Sequence, residues 1–328
     1  MSFPTVLELI HTRLQQGSTP DNRKDPYKLA IAAEDGSMRW VVAAGLLSRL
    51  EAHGIFPDLI VGTSGGGIAA AYYAAGAMRF GARVMFHLNR RGFERNGKAP
   101  RFLDARRLFR GKPAMNLHGA VETVFSHKVP LPWEKLKTCP VPVYLTAVDN
   151  EGKLVLQPLH GQTPEAQKHA LFNTGRIPFI AHDPTATDVL WDGGLRASIP
   201  IQEARDLGAT HVLVVRCKGA KDTLLDLTKP SWIETWILHP ALRRKAKGLL
   251  KILLKRPDNV RRSLELLAGN DPALLQLALP HVGIGMAEDN EGKLFRQMVE
   301  AWYHAGIALN LPEQPLPTEW LPETKWYL

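Results

Sequence analysis

The sequence predicts an α/β protein of three layers, with helices covering both faces of a mainly parallel sheet and a helical C-terminal region. Short apolar runs suited to buried strands alternate with helical stretches over residues 27–77, and a helix followed by a strand returns at 199–217. Repeated strand, turn and helix are the signature of parallel βαβ units. A chain with 45% hydrophobic and 22% charged residues is also expected to build an ordinary globular core.

The first elements follow from hydrophobic spacing. Residues 1–26 predict a short amphipathic helix and a polar linker, and KLAIAAE then predicts a buried strand. WVVAAGLLSRLEAHG predicts a helix that Gly54 ends, DLIVG a second strand, and GGGIAAAYYAAGAM a second helix.

The later elements are weaker but continue the pattern. PVPVYLTAVD predicts a strand paired with GKLVLQPL, TDVLW a short strand, and ATHVLVVRC a last β-rich run. Residues from 219 onward are mostly helical in pattern. We therefore expect three parts: an N-terminal helix and linker (1–26), an α/β domain (27–218), and a helical region packed on it (219–328).

The stretch Gly62-Thr63-Ser64-Gly65-Gly66 matches G-x-S-x-G between a predicted strand and a predicted helix. A nucleophile elbow needs this context, because the serine lies in a strained turn and the glycines permit close backbone passage. The following helix also directs amide N–H groups toward a developing negative charge. The simpler interpretation, a tight turn with small residues, stays open on these five residues alone.

Two further turns are expected near Ser64. The turn Glu34-Asp35-Gly36-Ser37-Met38-Arg39 follows the first strand, so it lies at the same rim of a parallel sheet as Ser64. Backbone amides there could bind an oxyanion, although Asp35 or Ser37 could equally be a helix cap. Asp192, followed by Gly193 and Gly194, could supply a base for the serine or simply form an Asp-Gly turn.

Together, LAIAAEDGSMRWVVAAGLLSRLEAHGI, DLIVGTSGGGIAAAYYAAG and WDGGLRASIPIQEARDLGATHVLVV resemble the bacterial patatin-like phospholipases. The resemblance covers roughly residues 28–218, the expected catalytic domain. It implies a lipid acyl hydrolase with a serine–aspartate dyad, in which Ser64 is the nucleophile and Asp192 the general base. It further implies an oxyanion hole from the amides of Gly36, Ser37 and Met38, with Arg39 adjacent, and Gly62, Gly65 and Gly66 as elbow glycines.

The predicted oxyanion loop departs from the family pattern of three glycines, any residue, arginine and glycine. Here it is Asp35-Gly36-Ser37-Met38-Arg39-Trp40. A carboxylate at Asp35 is expected to oppose a nearby oxyanion, and Ser37 must accept the backbone angles of a glycine. An alternative function is therefore a catalytically impaired family member that acts as a membrane or protein interaction module.

A second alternative is an α/β-hydrolase in which a histidine activates Ser64. The later candidates are His211, His239, His281 and His304, none of them in a recognisable loop after a strand. No histidine spacing suggests a metal site, and GGG at 65–67 lacks the G-K-[ST] of a phosphate loop. We expect no cofactor and no metal.

The net charge of +9 is concentrated in one segment. Residues 218–262 hold 12 Lys and Arg against 4 Asp and Glu. A basic amphipathic helix carrying Lys247, Lys251 and Lys255, with Trp232 and Trp236 upstream, suits an anionic membrane surface, although its leucines could equally pack a flanking helix. No nucleic acid partner is expected, because no reader motif accompanies the charge.

The expected location is the cytoplasm, with peripheral membrane association as an option. The N-terminus lacks a signal-peptide pattern, and no run is long and apolar enough to span a bilayer. Cys139 and Cys217 are the only cysteines, which fits a reducing compartment. The sequence leaves the oligomeric state undefined.

Overall fold

The computed structural model describes residues 3–88, 102–104, 107, 112–178, 180–181, 189–222, 239, 243 and 247–320. The strands are β1 (Leu29–Ala33), β2 (Leu59–Gly62), β3 (Val143–Val148), β4 (Leu154–Pro158), β5 (Trp191–Asp192), β6 (His211–Val215) and β7 (Leu274–Leu277). The α-helices are α1 (Val6–Gln15), α2 (Trp40–Ala52), α3 (Ser64–Ala74), α4 (Met78–Gly81), α5 (Leu117–Gly119), α6 (Trp133–Lys137), α7 (Pro164–Thr174), α8 (Ile201–Asp206), α9 (Lys247–Ala268) and α10 (Glu291–Ala308). Short 3-10 helices occupy Ser37–Arg39, Ala82–Phe86, Gly193–Leu195 and Thr318–Trp320, and a π-helix occupies Ala120–Lys128.

The strands form one sheet in the order β4-β3-β2-β1-β6-β7, and β5 also pairs with β3. Strands β1, β2, β3, β6 and β7 run parallel, whereas β4 and β5 are antiparallel to β3. The predicted pairing of residues 140–149 with 152–159 is thus present as the β3–β4 hairpin.

Helices cover both faces of this sheet. On one face Ile31 and Ile60 share a core with residues of α2, α3 and α10. On the other face Ala30 and Val61 pack with α8, and the C-terminal half of α9 covers the same cluster. A strand buried on both faces reads as a continuous apolar run, which explains the sequence LAIAA of β1. The predicted three-layer α/β/α class is confirmed.

The region after residue 219 was expected to be mostly helical, but it also contains β7. This strand lies parallel to β6, with Leu274 opposite Val212. Its sequence, DPALLQLALP, has apolar residues at spacings that fit a helix as well as a short strand, so periodicity alone missed it.

Helix α10 packs closely on α2. A Cβ at Gly45 would lie 2.2 Å from the carbonyl oxygen of Met298, so only glycine allows this approach. The pairing of β7 and the packing of α10 support the proposal that residues 219–328 fold with 27–218 as one domain. Within the described ranges, none of the helices combines the length and the apolarity that crossing a bilayer requires.

Candidate active site

Strand β3 brings together two segments that are far apart in the sequence. Strand β2 pairs with the first half of β3 and ends with Gly62 opposite Leu145. Strand β4 occupies the other edge of β3, so β5 pairs on the β2 side, with Asp192 opposite Ala147. The end of β2 and the end of β5 therefore meet head to head along one edge of β3.

Ser64 lies just beyond the end of β2, as the first residue of α3. Its φ is +51°, in the left-handed region that a residue with a Cβ rarely adopts. Its amide donates to Thr174 Oγ1 at 2.9 Å, a contact from the end of α7. This strained backbone at a strand-to-helix turn is the geometry expected of a nucleophile elbow.

The three elbow glycines are required by close approach. A Cβ at Gly62 would lie 2.6 Å from Gly67 Cα, one at Gly65 2.9 Å from the Ser37 carbonyl oxygen, and one at Gly66 2.1 Å from the Glu34 carbonyl oxygen. A side chain at Gly62 would push α3 away from β2, and one at Gly65 or Gly66 would push α3 away from the end of β1 and the turn after it. These glycines hold Ser64 beside the 34–39 turn.

The side chain of Asp192 lies in contact with Ser64. Ser64 Oγ donates to Asp192 Oδ2 at 2.8 Å, and the Gly194 amide donates to Asp192 Oδ1 at 2.7 Å. Asp192 is only 6% exposed and Ser64 8%. Burial, and secondarily the neighbouring charge of Asp35, raise the pKa of Asp192 to about 7. An aspartate with this pKa is a far stronger base than an exposed one.

The two glycines after Asp192 also have steric causes. A Cβ at Gly193 would lie 1.9 Å from Thr146 Oγ1, inside β3. A Cβ at Gly194 would lie 2.4 Å from Asp35 Oδ2. The Asp-Gly-Gly sequence is therefore more than a turn signal, because it lets the Asp192 carboxyl approach both β3 and the 34–39 turn.

The 34–39 turn differs in one respect from the expected oxyanion loop. Within the described part of the chain, the amides of Gly36 and Ser37 donate to no other group, and both residues line the same cavity as Ser64. The Met38 amide instead donates to the Met286 carbonyl at 3.2 Å. Ser37 has a φ of +48°, so it takes the glycine-like conformation at the cost of strain.

Arg39 faces the segment before α10. Its Nε donates to the Ile284 carbonyl at 2.8 Å. The turn is thus fixed from outside by two contacts with residues 284–286. Arg39 and the Met38 amide hold the loop in place, which leaves Gly36 and Ser37 as the amides open to a ligand.

Asp35 was expected to oppose an oxyanion, but its charge is compensated. Asp35 Oδ1 accepts hydrogen bonds from Lys218 Nζ and, at 2.7 Å, from Ser198 Oγ. Arg256 approaches Asp35 Oδ2 at 3.7 Å. Burial opposes ionisation of Asp35, but the charges of Lys218 and Arg256 outweigh it and hold the pKa of this carboxyl below its usual value. Asp35 is therefore an ionised partner of two cations.

Glu34 also fixes the position of Lys218. Glu34 Oε2 accepts from Arg216 Nε at 2.8 Å and from the amides of Cys217 and Lys218 at 2.9 and 3.0 Å. Lys218 Nζ also lies 3.3 Å from Glu34 Oε1. Alternating charges, each with a partner, are how a buried ionic cluster avoids an uncompensated charge.

A cavity of about 140 Å³ opens at Ser64 and Asp192. Leu249, Leu253 and Arg256 line it from one side of α9. Its other described lining residues include Ile177, Ile180, Leu195 and Met286, together with Ser64, Asp192 and Lys218. The surface beside Ser64 is therefore mostly apolar, with two cations at Asp35.

Sequence reasoning missed Ser198, Lys218 and Arg256. Lys218 could have been found, because it comes just after the carboxyl end of a predicted strand, where ligands of parallel sheets gather. Arg256 belonged to a basic segment interpreted either as a membrane surface or as a packed flanking helix, and neither interpretation placed this arginine at the site. Nothing in the sequence around Ser198 signals its contact with Asp35.

The basic helix α9 contributes to the site on one side and to the surface on the other. Lys247, Lys251 and Lys255 are exposed, while Leu249 and Leu253 face the cavity. Trp232 and Trp236 lie outside the described residues.

No histidine is among the described residues that line the cavity. His211 bonds the Pro4 carbonyl and Thr210, at the opposite end of β6 from Lys218. The described residues also include no cluster of three or more His, Cys, Asp or Glu that could hold a metal ion. The observed partner of Ser64 is a carboxylate.

Comparison with known families gives one match. The family model described as Patatin-like phospholipase matches residues 36–205, more than half of the chain. The matched range begins in the 34–39 turn and contains both Ser64 and Asp192. None of the curated proteins compared with the chain matches it.

Proposed function

Since the chain belongs to the patatin-like phospholipase family, a family of lipid acyl hydrolases, we propose that it hydrolyses carboxylic esters of lipids through a Ser64–Asp192 dyad. The observation that carries this proposal is the 2.8 Å hydrogen bond from Ser64 Oγ to Asp192 Oδ2 in a buried site. A hydroxyl bonded to a carboxylate with a pKa of about 7 can lose its proton as it attacks.

The first half of the reaction forms an acyl-enzyme. Asp192 takes the proton of Ser64 Oγ as this oxygen attacks the ester carbonyl carbon. The negative charge that develops on the carbonyl oxygen is stabilised by the amides of Gly36 and Ser37. The Gly65 amide, in the first turn of α3 and next to the nucleophile, is a further donor for this oxygen. The alcohol then leaves with the proton from Asp192.

The second half releases the fatty acid. Asp192 takes a proton from a water molecule, and the resulting hydroxide attacks the acyl carbonyl. The second tetrahedral intermediate is stabilised by the same amides. It collapses as Ser64 Oγ leaves and regains its proton from Asp192, so the enzyme returns to its starting state.

The cavity supports an ester with an apolar acyl part. Most of the exposed wall beside Ser64 is apolar, with leucine and isoleucine side chains from several elements. A volume of about 140 Å³ accommodates a group of roughly benzene size, enough for the ester and the first carbons of a chain. This supports a lipid ester over a polar substrate.

We also propose that α9 contacts an anionic lipid surface. Three exposed lysines, Lys247, Lys251 and Lys255, repeat at four-residue spacing along one side of this helix. Leu254, between them, is 58% exposed. Apolar and basic side chains on an exposed helix are typical of binding in the membrane interface. The same helix lines the cavity, so a membrane-bound enzyme would have its site close to the lipid.

A fluorophosphonate, which reacts with activated serine hydroxyls, tests the proposed chemistry. The wild-type protein should be labelled and Ser64→Ala should not. Absence of labelling in both would favour the interaction module over the enzyme.

A further inference from the structure

We propose that Asp35 is a positioning residue that, together with Arg256, sets the pH range in which the Ser64–Asp192 pair works. The inference rests on the proposed function, because it concerns the general base of that reaction. Asp35 occupies the position at which the family pattern given above has its first glycine.

The two carboxyl groups lie on either side of one glycine. A Cβ placed on Gly194 would be 2.4 Å from Asp35 Oδ2 and 3.0 Å from Asp192 Oδ1. Both side chains are turned toward the same small volume, and both line the cavity at Ser64. Two carboxyl groups so close in a buried site cannot both ionise freely. The one with fewer contacts that stabilise its negative charge holds its proton more tightly.

Of the two carboxylates, Asp35 has more contacts that stabilise a negative charge. Its carboxylate accepts hydrogen bonds from Lys218 and Ser198, and Arg256 lies 3.7 Å from its Oδ2. Asp192 accepts from the uncharged Ser64 hydroxyl and Gly194 amide. Asp35 therefore keeps its negative charge, and Asp192 is the group that titrates.

The charged groups around Asp192 come from several elements. Asp35 in the turn after β1, Lys218 after β6 and Arg256 on α9 line the same cavity as Asp192. Arg176, after α7, accepts a hydrogen bond from the Asp192 amide on its carbonyl. Glu34 and Arg216 belong to the ionic cluster around Lys218. Glu34 pairs with Arg216 and Lys218, and the Arg176 guanidinium lies over the Phe172 ring. Asp35 and Arg256 are thus the groups with opposite effects on Asp192, the first raising its pKa and the second lowering it.

This arrangement brings the pKa of Asp192 close to the pH at which a general base is most effective. A general base works best when its pKa lies close to the working pH, and burial with Asp35 raises the pKa of Asp192 to about 7. The carboxylate that looked harmful to the oxyanion loop thus strengthens the base, while Lys218 and Arg256 compensate its charge.

The test is the acidic limb of the kcat/KM profile for a neutral ester in three proteins. Asp35→Asn keeps the size of the side chain and removes its charge, so its limb should move to lower pH, by about 1 unit. Arg256→Gln removes a cation near Asp192, so its limb should move to higher pH. Shifts of opposite sign are not expected from general damage to the loop. Limbs that coincide with the wild-type limb, or that shift in the same direction, would overturn the proposal.

Direct titration of the Asp192 carboxyl carbon by NMR separates this inference from the proposed function. Asp192→Asn identifies the signal, and the reading does not depend on turnover. A lower midpoint in Asp35→Asn than in the wild type supports the inference even if no esterase activity is found, and equal midpoints overturn it even in an active enzyme. If Asp35→Asn fails to fold, Arg256→Gln decides alone: a raised midpoint supports the inference, and an unchanged or lowered one overturns it.

Discussion

Ser64 Oγ lies 2.8 Å from Asp192 Oδ2, although β2, which leads into Ser64, and β5, which ends with Asp192, do not pair with each other. Their contact depends on β3, which pairs with β2 at its start and with β5 at its end. Thr63 strengthens the junction, because its Oγ1 bonds both Thr146 Oγ1 of β3 and the Ala197 carbonyl after Asp192. The Ser64–Asp192 contact is therefore positioned by the sheet itself.

Asp192→Asn should abolish turnover and at the same time stabilise the protein at neutral and higher pH. The pKa of Asp192 is about 7 in the folded protein, against about 3.9 for an unfolded aspartate. Ionisation is therefore harder in the folded state, and the free energy of unfolding should fall as pH rises from about 4 to about 7 and stay lowered above that. Removing the charge should recover about 1–3 kcal/mol at about pH 8.

Urea unfolding of both proteins at about pH 5 and about pH 8 measures this effect. The stability gain of Asp192→Asn should be larger at the higher pH. Near-wild-type esterase activity in a folded Asp192→Asn protein would refute the dyad. A gain that is the same at both pH values would refute the buried, proton-binding state of Asp192.

Ser37→Gly should raise the free energy of unfolding by about 0.5–1 kcal/mol, because Ser37 has a φ of +48° and glycine adopts such angles without strain. Activity should be retained, since the proposed donor is the backbone amide. Ser37→Ala is the matched control: it removes the hydroxyl but keeps the Cβ, and it should give no gain. Equal stabilisation by both substitutions would show that the hydroxyl, not the backbone angle, causes the effect.

Replacing Lys247, Lys251 and Lys255 together with Gln should weaken binding to anionic vesicles by about 3 kcal/mol, since each cation contributes about 1 kcal/mol near such a surface. Cosedimentation with phosphatidylcholine vesicles, with and without phosphatidylserine, measures it. The control replaces three exposed lysines elsewhere, Lys128, Lys135 and Lys137, and should bind as the wild type does. Equal wild-type binding to neutral and anionic vesicles would contradict the proposed surface.

The fold was largely readable from the sequence because its central strands are buried on both faces. LAIAA and LIVG are short apolar runs, and each leads through a glycine-containing turn into a helix, which is typical of buried parallel strands. Strand β7 was not readable, because LLQL is short and partly exposed and its pairing with β6 is a tertiary event. Local pattern carries no information about such a partner.

The site was predictable where backbone geometry forces residue type, and not where side chains meet through space. At positions 62, 65 and 66, and at the two glycines after Asp192, an added Cβ would lie less than 3 Å from a neighbouring atom. Only glycine fits there, so these positions leave a pattern in the sequence. The salt bridge from Asp35 to Lys218 joins residues 183 positions apart and leaves none. The same is true of the Met38 amide, whose bond to Met286 depends on the path of the chain before α10.

The most direct measurement is the site of covalent attachment of a fluorophosphonate, found by mass spectrometry of peptides from the labelled protein over a range of pH. An adduct on the peptide carrying Ser64, lost in Ser64→Ala and kept in Ser48→Ala, a buried serine within α2, is the predicted result. No adduct at any pH, or an adduct that persists in Ser64→Ala, would contradict Ser64 as the nucleophile.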